Sequence, residues 1–503
     1  MKTKMVISFI ITPILSLLIV LFADLKPGEP AVTNTLAVTL LMAVWWITEA
    51  VPLAVTSLLP VALFPVLGIL DAKTVSSTYF NNVIFLFIGG FMIALAMQRW
   101  DLHRRIALRI LQITGISPGR ILFGFMLSTA FLSMWISNTA TAMMMMPILI
   151  SIIDKLEEAV GEKNIKDYSV GLLLGVAYGA SIGGIATLVG TPPNLSFIRI
   201  FHIYFPNAPE ISFAYWLLFA FPITVVIFIS AWTLLHFWYR PKKQNWASVN
   251  RNTFKDELRT MGPMRFEERI VLIIFTLTAL LWIFRLDLDF GIFKIPGWAG
   301  IFPQKSFLDD GTVAIFMSVL LFVLPAKTEG FKRIMDWKTA SKIPWHIILL
   351  FGGGFALATG IKDSGLSGWI GEQLVFMANL NPIVIILIVS LIITFLTELT
   401  SNTATTEMIL PVLAGIAIST KINPLLLMLP ATLSASMAFM MPVATPPNAI
   451  VFGSNRITIV QMAKTGLILN LICVVIVTLM TYWLGTYVFD IQIGEFPDWA
   501  VPK

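Results

Sequence analysis

The sequence predicts an all-α polytopic membrane protein, with about eleven transmembrane helices and two re-entrant helical hairpins arranged as an inverted repeat. Three observations predict it. Of the 503 residues, 57% are hydrophobic and only 12% charged, against roughly 45–50% and 25% in an average soluble domain. Apolar runs of about 20 residues, the length that crosses a bilayer as a helix, recur along the chain. Several polar motifs occur twice, at a fixed spacing. The scarcity of charge excludes a disordered chain, a coiled coil and a nucleic-acid-binding domain. The single cysteine, Cys473, lies in an apolar run. It excludes a disulfide framework and a thiolate metal site and reads as a small buried hydrophobe.

The N-terminus runs Met1-Lys2-Thr3-Lys4 and then stays apolar from Met5 to Phe22. A signal peptide also starts with lysines, but its apolar core is about 7–15 residues long and ends at a small-residue cleavage site. Here the run is longer and Ala23-Asp24-Leu25-Lys26-Pro27 follows, so residues 1–31 read as a retained extra helix and its loop. Further spans are expected at 32–49, 50–70, 80–98, 168–190, 213–239, 267–285, 310–325, 344–361, 424–444 and 464–486. Segments 119–153 and 381–420 are apolar but interrupted by Ser-Asn-Thr. Each holds two short helices, which read as a hairpin that enters the membrane and turns back.

Charge placement orients this topology. With the N-terminus cytoplasmic, 25 of the 34 basic residues fall inside and nine outside, as the positive-inside rule requires. The C-terminal tail, 487–503, then lies outside. Arg99 to Ile113 spaces Arg104, Arg105 and Arg109 among Leu102, Ile106, Leu108, Ile110 and Leu111. That is the pattern of a basic amphipathic helix lying in the membrane interface. The basic segment from Arg240 to Arg269, with Trp246, reads as a cytoplasmic anchor or a hinge, and 240–266 as the linker between two halves.

Self-comparison defines those halves. Gly89-Gly90-Phe91 matches Gly353-Gly354-Phe355, and Ser137-Asn138-Thr139-Ala140-Thr141 matches Ser401-Asn402-Thr403-Ala404-Thr405. Pro147 matches Pro411, and the hydroxyl residues Ser133 and Thr397 correspond, all at a spacing of 264. Thr191-Pro192-Pro193-Asn194 matches Thr445-Pro446-Pro447-Asn448 at 254. Each unit, 32–239 and 267–486, then holds five spans and one hairpin. Five is odd, so the second unit is inverted in the membrane, an architecture of secondary transporters.

The motifs carry chemistry. A hairpin tip at membrane depth leaves backbone groups without helical partners, which is tolerated only against protein or a watery cavity. The amides of Asn138 and Asn402 and the hydroxyls of Thr139 and Thr403 donate and accept there, and the arm that starts after each motif points its N–H groups at the tip. Thr-Pro-Pro-Asn makes the complementary break. Its prolines supply no N–H, which frees carbonyls near Gly190 and Ala444, and the helix restarts beside Asn194 and Asn448. Hydroxyls, amide oxygens and free carbonyls are uncharged hard ligands that suit Na⁺ and argue against Zn²⁺ or a transition metal. The motifs hold no Lys or Arg, so an anion would meet amides, helix ends and the bound cations.

Other residues carry less. Glu398 and Glu407 flank the second Ser-Asn-Thr, and the choice between a supporting hydrogen bond and a substrate or proton role stays open. Glu49 reads as an anchor at a span end. The histidines His103, His202, His236 and His346 are scattered, and Met143 to Met146 read as soft packing. No P-loop, dinucleotide fingerprint or nucleophile elbow is present. An enzyme and an organic cofactor are not expected.

The paired motifs, with the stretch Ser436-Met437-Ala438-Phe439-Met440-Met441-Pro442-Val443-Ala444-Thr445-Pro446-Pro447-Asn448-Ala449-Ile450-Val451, resemble the divalent anion–sodium symporter family over nearly the whole chain. The resemblance implies an integral protein of a bacterial plasma membrane, a homodimer set among lipid, whose protomers each carry succinate, malate, fumarate or a related di- or tricarboxylate with Na⁺ by an elevator motion. Sulfate or citrate carriage, and sodium-independent dicarboxylate exchange, occur on the same pattern and stay open. The first four spans and spans seven to nine would be the scaffold, and the hairpins with spans five, six, ten and eleven the moving domain. Asn138, Thr139, Asn402 and Thr403 would hold substrate carboxylates, with Thr191, Thr445 and Pro446 nearby. One sodium site would use Ser133, Ser137, Asn138 and the Gly190 carbonyl. The other would use Thr397, Ser401, Asn402 and the Ala444 carbonyl.

Overall fold

Prolines and Ser-Asn-Thr segments decide where this apolar chain stops being helical. In the computed structural model, residues 2–115, 117–241, 253–289, 293–376 and 380–501 are described. The chain opens with α1 (Lys2–Phe22) and α2 (Pro30–Thr48), which pack together, with Ser16 Oγ donating to Ala37 O at 2.9 Å. The span expected at 50–70 is instead two short pieces, α3 (Leu53–Thr56) and α4 (Leu59–Val66). Pro60 has no N–H to offer the Thr56 carbonyl, so the ladder stops between them. α5 (Ala72–Thr78) is capped by Asp71, and α6 (Asn82–Arg99) by Asn81, whose side chain accepts from the Val83 and Ile84 amides. α7 (Leu102–Thr114) is the amphipathic helix, with Leu102, Leu108 and Leu111 buried and Arg109 and Ile113 exposed.

The first interrupted segment folds as α8 (Pro118–Ser133) and α9 (Asn138–Val160). α10 (Glu162–Gly184) then breaks, and the chain restarts at the double proline as α11 (Pro192–Tyr204). The stretch between the spans expected at 168–190 and 213–239 is therefore mostly helical, and it carries Arg199. α12 (Phe213–Trp238) closes this half. Within the basic linker α13 (Thr253–Thr260) is the helix among the described residues, and Trp246 lies outside them.

The second half begins with α14 (Phe266–Ile283). A two-stranded antiparallel ribbon follows, Leu288 opposite Ile295 and Asp289 opposite Lys294, a small departure from the all-helical expectation. Then come α15 (Asp310–Val323), the short α16 (Trp337–Ala340), α17 (Trp345–Asp363) and α18 (Leu366–Gln373). The second interrupted segment folds as α19 (Pro382–Thr397) and α20 (Asn402–Thr420). α21 covers only Leu425–Ser434 of the span expected at 424–444, and an irregular stretch leads to α22 (Pro446–Phe452) and α23 (Ile459–Val488).

Helix limits recur at the spacing of the motifs. α8 and α19 start and stop 264 residues apart, α9 and α20 start 264 apart, and α11 and α22 start 254 apart. Packing is reciprocal as well: α9 lies on α22, and α11 lies on α20. Seven helical stretches among the described residues are long and apolar enough to cross a membrane. Others, Asp310–Val323, Pro382–Thr397 and Leu425–Ser434 among them, are apolar but shorter.

The paired glycines permit close helix approach. A Cβ on Gly89 would stand 2.5 Å from the Ala314 backbone of α15, and one on Gly354 would collide with the Glu407 carboxylate. Small residues at such contacts let apolar helices pack on their backbones. Gly89→Val should therefore force α6 from α15 and destabilise the protein by about 1–3 kcal/mol, the range for overpacking. Gly368→Ala, with nothing within 4 Å of the added Cβ, is the control. Thermal unfolding in detergent should show a lower midpoint for the first substitution only, and equal midpoints would contradict the close approach.

Candidate functional site

Each Ser-Asn-Thr segment builds the same small structure. α8 ends at Ser133 and α9 starts at Asn138, and the Ser133 hydroxyl donates to Asn138 Oδ1 at 2.7 Å. In the second half Thr397 Oγ1 donates to Asn402 Oδ1, also at 2.7 Å. Ser137 caps α9 by accepting from the Ala140 amide at 3.3 Å, while Ser401 in the equivalent place makes no side-chain cap bond. Ser133 and Thr397 are fully buried. Ser137, Asn138, Thr139, Ser401 and Asn402 are half-buried, and Thr403 is buried. The motifs thus have buried roots and partly open tips.

The proline breaks meet these tips. A Cβ on Gly184 would lie 2.4 Å from Asn138 Oδ1, and one on Gly190 would lie 2.4 Å from the Gly184 carbonyl. Only glycines allow the chain to fold back so closely. Ser133, Asn138, Gly184 and Gly190 are thereby one cluster. Thr397 Oγ1 also lies 2.7 Å from the Ala435 carbonyl, so its single proton is placed between two acceptors, which joins Thr397, Asn402 and Ala435. Ala444 lies at the far end of that same break. The carbonyls of Gly190 and Ala444 are not engaged in a helical ladder. The amides four residues on, of Asn194 and Asn448, turn instead to Thr191 O and Thr445 Oγ1. Thr191 and Thr445 are buried, whereas Pro446 is exposed.

Two residues absent from the predicted site hold the breaks together. Asn194 Nδ2 donates to the carbonyls of Thr187 at 2.7 Å and Gly184 at 3.3 Å. Asn448 Nδ2 donates to those of Met441 and Ala438, both at 3.0 Å. The acceptors correspond at the 254 spacing. Both Oδ1 atoms are buried without a protein partner. The signal was the repeated Asn of Thr-Pro-Pro-Asn; what was missing was the knowledge that its amide reaches back across the break.

The two acidic residues resolve differently. Glu398 Oε1 accepts from the amides of Phe439 and Met440 at 2.7 and 2.8 Å and from Asn470 Nδ2 at 2.7 Å, and Oε2 accepts from the Met441 amide at 3.0 Å. It is an anchor for the unwound segment. Glu407 is buried on α20, where one carboxylate oxygen accepts from Ser196 Oγ of α11 and the other has no protein partner. The first-half counterparts of both, at the 264 spacing, are Met134 and Met143. Glu49 ends α2 in a left-handed conformation, and Cys473 is buried.

Such an arrangement offers neutral hard oxygens in two quasi-equivalent clusters. It also offers helix N-termini at Asn138 and Asn402, whose free N–H groups favour an anion.

Comparison with known proteins agrees in kind. Residues 3–491 match the family model of the sodium:sulfate symporter transmembrane region. A sodium-dependent dicarboxylate transporter of Staphylococcus saprophyticus is 44% identical over 465 residues, covering 92% of this chain and 87% of that protein. One from Staphylococcus aureus strain MRSA252 is 43% identical over 499 residues, covering 98% and 94%. Among solved structures, MtrF of Neisseria gonorrhoeae, from a class of antimetabolite efflux pumps, superposes with a TM-score of 0.55 at 12% identity, covering 86% of each chain. The YdaH transporter of Alcanivorax borkumensis gives 0.55 at 14% identity, covering 90% of this chain and 98% of that one. At such identities the likeness concerns the fold.

Glu398→Ala would leave three backbone amides without their acceptor. Hydrogen bonds to charged groups contribute roughly 1.5–3 kcal/mol each. Deuterium exchange at 437–442 should therefore quicken at least tenfold while α6 is unchanged, as mass spectrometry of peptic peptides would show. Unaltered exchange in that segment would remove Glu398 from the anchoring role.

Proposed function

The chain belongs to the sodium:sulfate symporter family, the divalent anion:Na⁺ symporters, and from that premise we propose that it carries C4-dicarboxylates such as succinate, malate and fumarate across a membrane together with Na⁺. It is a membrane carrier rather than an enzyme, and Na⁺ is a transported ion, not a resident cofactor. The observation that carries the substrate reading is the pair of matched hydroxyl–amide bonds, Ser133 to Asn138 and Thr397 to Asn402. Beside it stand relatives of 43–44% identity that are named sodium-dependent dicarboxylate transporters.

In this proposal Ser133, Ser137, Asn138 and the Gly190 carbonyl take one Na⁺. Thr397, Ser401, Asn402 and the Ala444 carbonyl take the other. Asn138, Thr139, Asn402 and Thr403, with Thr191, Thr445 and Pro446 nearby, receive the two carboxylates. Coupling follows from electrostatics. Taking an ion out of water without a partner costs several kcal/mol, and the motifs provide no Lys or Arg. The substrate's charges are therefore balanced by the two sodium ions and by helix ends. An empty cation site leaves the dianion uncompensated, which keeps substrate from binding alone.

Movement is proposed to be of the elevator kind, in a homodimer of a bacterial plasma membrane with the N-terminus inside. α8 with α9, and α19 with α20, act as re-entrant hairpins. They move with α10 to α12 and α21 to α23 against a scaffold of α1 to α6 and α14 to α17. Support comes from the recurrence of helix limits at the motif spacing and from the flush contact of Gly354 in α17 with Glu407 in α20.

Uptake of labelled succinate into proteoliposomes tests the function. An inward Na⁺ gradient should drive it, and uptake that ignores Na⁺ but requires internal dicarboxylate would establish exchange instead. Asn138→Ala and Asn402→Ala should each abolish uptake while the purified protein stays folded; near-normal uptake by either refutes the substrate site. Ser133→Ala and Thr397→Ala should each raise the Na⁺ concentration for half-maximal uptake, by roughly fivefold or more for a lost hydrogen-bonding oxygen worth about 1 kcal/mol. Unchanged sodium dependence in both would count against the cation sites.

A further inference from the structure

The basic amphipathic helix singled out in the sequence lies beside a groove that transport does not explain. α7, α13 and the start of α14 enclose a space of about 880 Å³ that is open on one side. Its floor is apolar, with Ile106 and Ile110 from α7, Leu127 and Phe131 from α8, Leu258 from α13 and Leu272 from α14. Ile113, 82% exposed, stands at its mouth.

Four cations line the same space, Arg105, Arg109, Lys255 and Arg259, and none of its lining residues is acidic. Arg105 is committed to structure. Its guanidinium pairs with both oxygens of buried Glu268, at 2.6 and 3.2 Å, and donates to the Gly262 carbonyl at 3.0 Å. The other three are exposed. Arg259 meets Asp256 only at 3.5 Å, Arg109 meets Gln112 at 3.5 Å, and Lys255 has no ion pair among the described residues. Glu257, the remaining acid of α13, is taken by Arg104 at 3.2 Å.

We infer that this groove is a binding site for an anionic glycerophospholipid, its phosphate held by Arg109, Lys255 and Arg259 and an acyl chain laid along the apolar floor. The two chemistries of the groove, an apolar floor and a basic rim, match the two parts of that molecule. A volume near 880 Å³ falls within the range of roughly 300–1,000 Å³ of small-molecule sites. Basic amphipathic helices at a membrane surface hold anionic lipid by this combination of apolar burial and charge. A second copy of the chain fits less well, because a symmetric contact would set one basic rim against another. The site rests on the reading that α7 lies in the cytoplasmic membrane interface. Its position matters, because α7 joins α6 of the proposed scaffold to α8 of the first hairpin, and Arg105 ties it to α14. A lipid here would sit at the joint between fixed and moving parts.

Native mass spectrometry of the purified full-length protein tests this without any transport measurement, so its failure and that of the transport reading are separable. Equal amounts of palmitoyl-oleoyl phosphatidylglycerol and phosphatidylcholine are offered, and phosphatidylglycerol should be retained in preference. Arg109→Gln or Lys255→Gln should each weaken that preference about fivefold, since a basic residue near a membrane surface contributes roughly 1 kcal/mol. The triple variant with Arg259→Gln should lose it. These side chains are exposed, so folding should survive, as circular dichroism would verify. Dihexanoyl phosphatidylglycerol and free glycerol phosphate should compete poorly. Retention without headgroup preference, a preference that survives the triple variant, or full competition by glycerol phosphate would each overturn the lipid site. Dissociation of an oligomer in the triple variant with lipid retention unchanged would also overturn it, by making the groove a contact between copies.

Discussion

A helix that stops inside an apolar medium must find partners for the backbone groups it abandons. Everything specific to this protein follows from how that demand is met four times. Two breaks come at Ser-Asn-Thr and two at Thr-Pro-Pro-Asn. In each half a buried hydroxyl fixes the asparagine of the first motif, and the asparagine of the second motif holds carbonyls on the far side of its own break. The same bonds that make the breaks tolerable fix the positions of the oxygens around them.

The two halves are similar without being equal. Where the first half has Met134 and Met143, the second has Glu398 and Glu407. Met134 contributes only its backbone carbonyl, which accepts from Thr187 Oγ1. Glu398 contributes a carboxylate that gathers three consecutive amides, and the segment it gathers has left the helical conformation. The second break is consequently longer and α21 shorter than its counterpart α10. A buried carboxylate near one proposed cation cluster and not the other also makes the two clusters electrostatically distinct.

Much of this was legible in the sequence because proline, glycine and Ser-Asn-Thr act locally. The ends of α8, α9, α19 and α20 fall where the motifs put them. Pro60 could have foretold the division of the segment at 50–70, but its hydropathy is uniform and hides the missing N–H. The shortening at 424–444 could not be read locally, since it depends on Glu398, some 40 residues earlier. The amide clips of Asn194 and Asn448 were likewise unreadable. A side chain at the start of one helix reaches carbonyls at the end of the previous one, and no periodicity encodes that reach. The helix that carries Arg199 falls between two expected spans because the double proline restarts it. The candidate site was visible as residue types and spacing, and its convergence at Gly184 and Gly190 needed the fold.

The central claim is that sodium ions supply the positive charge the site lacks. It is tested most directly by calorimetric titration of succinate into purified protein at fixed ionic strength, with Na⁺ exchanged stepwise for choline. Linkage requires that each ligand raise the other's affinity by the same factor. The account predicts no measurable succinate binding in choline and an affinity that climbs with Na⁺. Equal succinate affinity in choline and in Na⁺ would contradict it.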